Sequence, residues 1–234
     1  MSNLLKAEFY KLWRSRGFWG ILGLSVVLSA ILMLDSQIPK TAMECFQYSL
    51  YHTPLMYMLI IIWGALFVGG DFDTRAITVF AGAGHSRGNV LIAKSLSYLA
   101  ACILILVLPL ILTGVFGAAY FGIEMPISMV KMAEECIMIL FAICAMGIIP
   151  LFCAFCFRDT GRSLVVPTAF FFLMIFLLNS DQALQFAPLL PIGQLRLASQ
   201  DRIGSYPMTI VIDVIWIVFG MAGAYLAFRR TDLK

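Results

Sequence analysis

Residues 93–118 read "AKSLSYLAACILILVLPLILTGVFGA". After Lys94 no charged side chain follows until Glu124. The hydrocarbon core of a bilayer is about 30 Å thick and a helix rises about 1.5 Å per residue, so roughly 20 apolar residues cross it. This run is longer than that. It is also continuous, whereas the strands of a membrane barrel alternate between lipid-facing and lumen-facing residues. A segment in lipid must satisfy its own backbone hydrogen bonds, and a helix does so alone. The stretch therefore predicts a transmembrane helix.

Similar runs occur on both sides of it, at 17–34, 54–70, 128–157, 163–179 and 207–228. The 234 residues are 62% hydrophobic and only 12% charged, with mean hydropathy +0.95. Soluble domains carry about 25% charged residues, so half the usual charge leaves apolar surface that must face lipid. The expected fold class is an all-α polytopic membrane protein with six transmembrane helices. No glycine-rich linker or internal repeat divides the chain, which reads as one domain over 1–234. The first run is too long for the core of a signal peptide and follows an amphipathic segment, so it reads as a permanent span. The third and fourth runs exceed the need and must tilt, kink or project, with Gly147 and Pro150 as places for a bend.

Charge sets the expected orientation. With the N-terminus inside, the inner segments hold Lys6, Lys11, Arg14, Arg16, Arg75, Arg87, Lys94, Arg158, Arg162, Arg229, Arg230 and Lys234. The outer ones hold Lys40, Lys131, Arg196 and Arg202. Twelve against four satisfies the positive-inside rule and places both termini in the cytoplasm. Within 1–16, Leu5, Phe9, Leu12 and Trp13 share one face of a helical period while Lys6, Lys11 and Arg14 can reach water and headgroups. That pattern predicts an interfacial amphipathic helix; the alternative is an extension of the first span.

Residues 69–94, "GGDFDTRAITVFAGAGHSRGNVLIAK", lie between spans 2 and 3 on the cytoplasmic side. Glycine, charge and a histidine suggest a phosphate loop, but GxxxxGK[ST] fails at Arg87 and at Asn89, and GxGxxG fails at Arg87. Neither GxSxG nor HExxH occurs, His52 falls near the opposite face from His85, and Asp71 and Asp73 diverge on a helix. Metal binding by His85 with these aspartates lacks a known ligand spacing. What remains is structural. Ile77, Phe80 and Ala81 interleave with Thr74, Arg75 and Thr78 in a short amphipathic helix. The "GAG" at 82–84 ends it, since glycine tolerates positive φ, and Ser86 can cap the next helix. An ordinary solvated loop is the other reading of these residues.

The N-terminal "AEFYKLWRSRGFW", six spans, and "GDFDTRAITVFAGAGHSRGNVLIAK" between spans 2 and 3 resemble the permease subunits of ABC-2-type ATP-binding-cassette exporters. Such permeases carry an acidic residue after span 2, a Thr-containing short helix, a small-residue turn, then Ser-Arg and a lysine entering span 3. Here these positions are Asp71 or Asp73, Thr74 or Thr78, Gly82 to Gly84, Ser86-Arg87 and Lys94. Many relatives have proline before Ser-Arg; Gly84-His85 stands here instead. Topology matches along the whole chain, motifs over about 45 residues of it. Among subfamilies it looks nearest to bacterial permeases of bacitracin or lantibiotic resistance.

The resemblance implies a multi-pass protein of the bacterial plasma membrane that pairs with a second permease chain, identical or sister, and with separate cytosolic ATPases. Those partners bind ATP and Mg; this chain then holds no cofactor and no catalytic residue. Segment 71–92 becomes a cytoplasmic coupling element, with Phe72, Ile77 and Phe80 as apolar anchors and Arg75 and Arg87 setting register. Asp71, Asp73, Thr74, His85, Ser86 and Lys94 complete the expected ATPase-coupling set. A few polar groups in an apolar, aromatic-rich bundle suit a hydrophobic or amphipathic cargo, such as an antimicrobial peptide or a lipid.

Elsewhere, 180–206 is expected on the outer side. Its "APLLPIG" is apolar but broken by two prolines, so it is either an ordinary outer loop or, as the resemblance implies, a re-entrant segment. Asp213 lies inside span 6, where ionisable residues face a bundle interior or a wet cavity; it either lines the pathway, binds an ion or proton, or pairs with Arg202 or Lys131. Glu134 and Glu135 read as solvated. Five of six cysteines lie in or beside spans, so no outer disulfide follows, and "CAFC" at 153–156 reads as small apolar residues in a helix. The expected function is export driven by a partner ATPase. The alternative is an ATP-independent secondary transporter, or a membrane sensor or assembly protein.

Overall fold

The computed structural model describes residues 2–35, 39, 41–122, 129–179 and 184–229. Its helices run α1 Ser2–Arg14, α2 Arg16–Asp35, α3 Ala42–Gly64, α4 Gly70–Asp73, α5 Ala76–Gly82, α6 Arg87–Phe121, α7 Met129–Phe157, α8 Thr160–Leu178, α9 Pro191–Ala198 and α10 Tyr206–Arg229. A π-helical turn, Ala65–Gly69, joins α3 to α4, and a 3-10 turn, Leu184–Leu189, precedes α9. No strand occurs among the described residues. Six helical stretches are long and apolar enough to cross a membrane: α2, α3 through α4, α6, α7, α8 and α10. The chain is therefore an all-α protein of multi-pass membrane type. Large apolar side chains such as Phe176 (74% exposed) and Phe219 (73%) stand on the outside of the bundle, as lipid contact requires. Lys40, Arg230, Lys234 and the start of the 180–206 segment lie outside the described residues.

The second span begins at Ala42, twelve residues before the apolar run at 54–70. Residues 42–53 include Glu44, Gln47, Tyr48 and His52, too polar for an apolar-run criterion. They are helical because Thr41 caps them, its side chain accepting from the Glu44 amide at 3.2 Å. Thr41-x-x-Glu44 has the spacing of a capping box. Ser86 and Asp159 start α6 and α8 in the same way, accepting from the amides of Asn89 at 3.3 Å and Arg162 at 2.7 Å.

α7 sits centrally, packed along α10 and against α3, α6, α8 and α9, while α3 and α6 form a second close pair. Their two ends differ. One end gathers α1, α5, the α7–α8 junction and the C-terminus of α10 and is called the α5 end below; the other holds α9. There α9 packs against α3 and α7, and the 3-10 turn against α9, α8 and α10, with Ile192, Leu195 and Ala198 buried. Segment 184–198 is thus built into the bundle instead of looping away from it. Gly193 permits this, since a Cβ there would stand 2.3 Å from the Ala187 carbonyl oxygen.

α1 is a helix distinct from α2, with the break at Ser15. The break is held by Trp19, whose indole donates to the Trp13 carbonyl at 2.8 Å and whose ring meets that of Trp13 at 5.1 Å. The face of α1 that packs on the bundle lies beside the apolar stripe expected at the membrane interface, sharing Leu12 with it. Leu4, Glu8 and Leu12 turn inward against α6, while Phe9, Tyr10 and Trp13 are exposed. This second face gives no apolar pattern in the sequence because its centre is a carboxylate.

Candidate functional site

Glu8 is that carboxylate, and its partner is Lys94 on α6, fully enclosed and donating to Glu8 Oε2 at 2.7 Å. Lys94 Nζ also pairs with Asp71 of α4, whose other oxygen takes Lys11 of α1. Two lysines and two carboxylates sum to zero charge. Lys94 Nζ stands 4.2 Å from the centre of the Phe67 ring, and Lys11 Nζ 5.6 Å from it. Phe67 lies in the π-helical turn, a departure from α-geometry that is frequent at functional sites. A charge this deep is tolerable only when paired and hydrogen-bonded, and here every charge meets an opposite one. The cluster ties the N-terminal helix, the end of the second span and the start of the third into one unit.

The following residues are fastened as tightly. The Asp73 carboxylate accepts from the Thr160 amide at 3.2 Å and from its hydroxyl, fixing α4 to the start of α8. Phe72 inserts edge-on between Phe155 of α7 and Phe228 of α10, at 5.5 and 6.2 Å. Arg75 takes a positive φ of 57° at the corner between α4 and α5, a conformation that costs an L-residue about 1–2 kcal/mol. Ile77 is buried, and Phe80 packs half-buried on the core. α5 then ends in a Schellman turn: Gly84 takes φ of 84°, and the His85 amide bonds back to the Phe80 carbonyl at 3.3 Å.

Arg87 opens α6 and reaches the C-terminus of α10, donating to the carbonyls of Phe228 at 3.2 Å and Arg229 at 2.7 Å. Arg158 joins it, donating to the Ala227 carbonyl at 3.2 Å. The last carbonyls of a helix lack internal partners and carry the negative end of its dipole, so two guanidinium groups suit them.

Of the residues singled out from sequence, Asp71, Phe72, Ile77 and Lys94 thus turn into the protein, and Asp73 and Arg87 are engaged with α8 and α10. Thr74, Arg75 and Ser86 are exposed, with Val79 and Ala83 beside them, and His85 is half-buried. These exposed side chains form the outer face of α5 and its two corners. Glu8, Lys11, Phe67, Arg158 and Thr160 belong to the same assembly and were not singled out; Glu8 alone gave a signal, as the acidic residue of a basic helix at the helical spacing of Leu4 and Leu12. Asp213 is enclosed in α10, and neither Arg202 nor Lys131 pairs with it. Glu135 is buried, against the solvated reading, while Glu134 is exposed.

No protein-family model matches the chain, and no curated protein matches it. Among the described residues no three His, Cys, Asp or Glu side chains gather where a metal ion could sit. At the α5 end, α4 and the first residue of α6 thus join α1, α6, α7, α8 and α10, while α5 itself packs on α4 and α6.

Proposed function

We propose that this chain is the membrane-spanning permease subunit of an ATP-binding-cassette exporter, whose ATP is hydrolysed by separate cytosolic subunits. The carrying observation is the construction of segment 71–87. Its inner residues are bolted to five other helices through ion pairs, an aromatic cluster and helix caps, yet the outer face of α5 presents Arg75, Val79 and Ala83 to the outside. An element with no reacting groups, rigidly joined to the bundle and exposed on one face, suits a lever that another protein pushes. The basic residues at this end support a cytoplasmic position by the positive-inside rule, where an ATPase could grip it.

On this reading two permease chains pair, each engages an ATPase through α5, and closure of the ATPases on ATP moves α5. The buried cluster at Lys94 carries that movement into α1 and the second and third spans, and the Arg87 and Arg158 caps carry it into the last. The apolar interior suits a hydrophobic or amphipathic cargo, with antimicrobial peptides as the substrate class implied by the resemblance. The setting is a bacterial plasma membrane with both termini inside.

Arg75→Glu and Val79→Asp change the exposed face without touching the internal contacts. Extracted from its native membrane in mild detergent, the tagged protein is expected to retain an ATP-hydrolysing subunit, and each substitution to reduce its recovery several-fold. Purification with no ATP-binding chain attached would overturn the proposal.

A further inference from the structure

Asp213 lies about 11 Å along α10 from Tyr206. Its side chain has no exposed surface, and neither has that of Gln194 on α9. Gln194 Nε2 donates to the Pro188 carbonyl at 3.0 Å, but Gln194 Oε1 and both carboxyl oxygens of Asp213 are without a hydrogen-bond partner. The Gln194 amide faces the carboxyl from α9, and Cys144 is the titratable side chain that faces it from α7. Glu135 of α7 lies farther out, near Asp201 and Tyr206. Arg196, the cation of α9, is turned to α8, donating to the Leu178 carbonyl at 2.7 Å and to Asn179 Oδ1 at 3.1 Å. The 3-10 turn carries no titratable residue, and α6 meets α10 through Arg87 at the opposite end.

Three buried acceptor oxygens therefore share a site with no cation, and its one nearby donor, the Gln194 amide nitrogen, already serves the Pro188 carbonyl. An ionised carboxylate without a partner is costly in such a place. A proton on either Asp213 oxygen turns that oxygen into a donor and gives Gln194 Oε1 the bond it lacks. With no open surface at the carboxyl, nothing larger enters unless the helices move. We propose that Asp213 is a proton-binding site, occupied while segment 184–198 is seated on the bundle and emptied when that segment lifts. Lifting would hydrate the carboxyl and send its proton to water; reseating takes one up again. Movement of the α9 end is thereby linked to proton uptake and release. The inference does not rest on the exporter reading.

The test is infrared spectroscopy of the full chain in lipid bilayers at neutral pH. A carbonyl-stretch band of a protonated carboxylic acid is expected, shifting when aspartate is carbon-13 labelled and disappearing in Asp213→Asn. Gln194→Leu should move the band to higher frequency, because the acceptor is gone. Absence of an aspartate-dependent band at neutral pH, or its survival in Asp213→Asn, overturns the proposal. Should Asp213→Asn fail to fold, Gln194→Leu decides: an unchanged frequency is equally fatal.

Discussion

Replacing Lys94 by methionine keeps most of the side-chain volume and removes one charge. Glu8 and Asp71 are then left with Lys11 alone, and Lys11 is 45% exposed while Lys94 has no exposed surface. Breaking a buried pair by deleting one partner costs about 3–5 kcal/mol, because the remaining charge stays buried. In a bilayer the loosened helices also find other polar partners, which favours the lower part of that range. About 3 kcal/mol is a loss of two powers of ten in the folded ratio. Lys11→Met should cost no more than about 1 kcal/mol, as screened surface pairs do. Unfolding of the purified protein in mixed micelles, followed by tryptophan fluorescence, compares the two. The triple variant Glu8→Gln, Asp71→Asn, Lys94→Met should recover much of the loss, since no unpaired charge remains. Equal small costs for Lys94→Met and Lys11→Met would refute the reasoning, because they would mean that water reaches the cluster.

Cysteine placed at Val79 should react with a membrane-impermeant thiol reagent in inside-out vesicles, and cysteine at Ile77 should not, in a background lacking the exposed Cys136. Gly84→Ala should destabilise the α5 turn by about 1 kcal/mol, read as increased proteolysis at residues 82–86, because an L-side chain resists φ of 84°. Gly193→Ala should be far more damaging, since its Cβ would meet the Ala187 backbone at 2.3 Å; loss of the folded protein from size-exclusion chromatography checks it. Arg87→Gln should fray the end of α10, seen as faster amide exchange at Phe228 and Arg229, whose carbonyls it now holds.

The six spans were legible because lipid imposes a one-dimensional demand: an uninterrupted apolar run of sufficient length. Where those helices begin was less legible, because hydropathy does not see capping. Residues 42–53 were excluded for their polarity, although Thr41 and Glu44 already carried the signature of a start. The glycine turn and the Ser86 cap were readable for the same local reason: both are decided within a few residues. The ionic cluster was not, since Glu8 and Lys94 are 86 positions apart and only the folded chain joins them. The face of α1 that packs on α6 was hidden for that reason too, because a carboxylate counts as outward until its buried lysine is known. Phe72 and Ile77 read in the sequence as anchors for a partner, whereas in the fold Phe72 packs between Phe155 and Phe228 and Ile77 is buried.

What touches the outer face of α5 decides whether an ATPase moves this chain. A photo-reactive amino acid at Val79, irradiated in native membranes, should form one dominant adduct whose second component is an ATP-binding protein with a Walker-type phosphate loop. Adding ATP with Mg should change the yield. An adduct confined to lipid or to a second copy of this chain, with no ATP-binding protein, would contradict it.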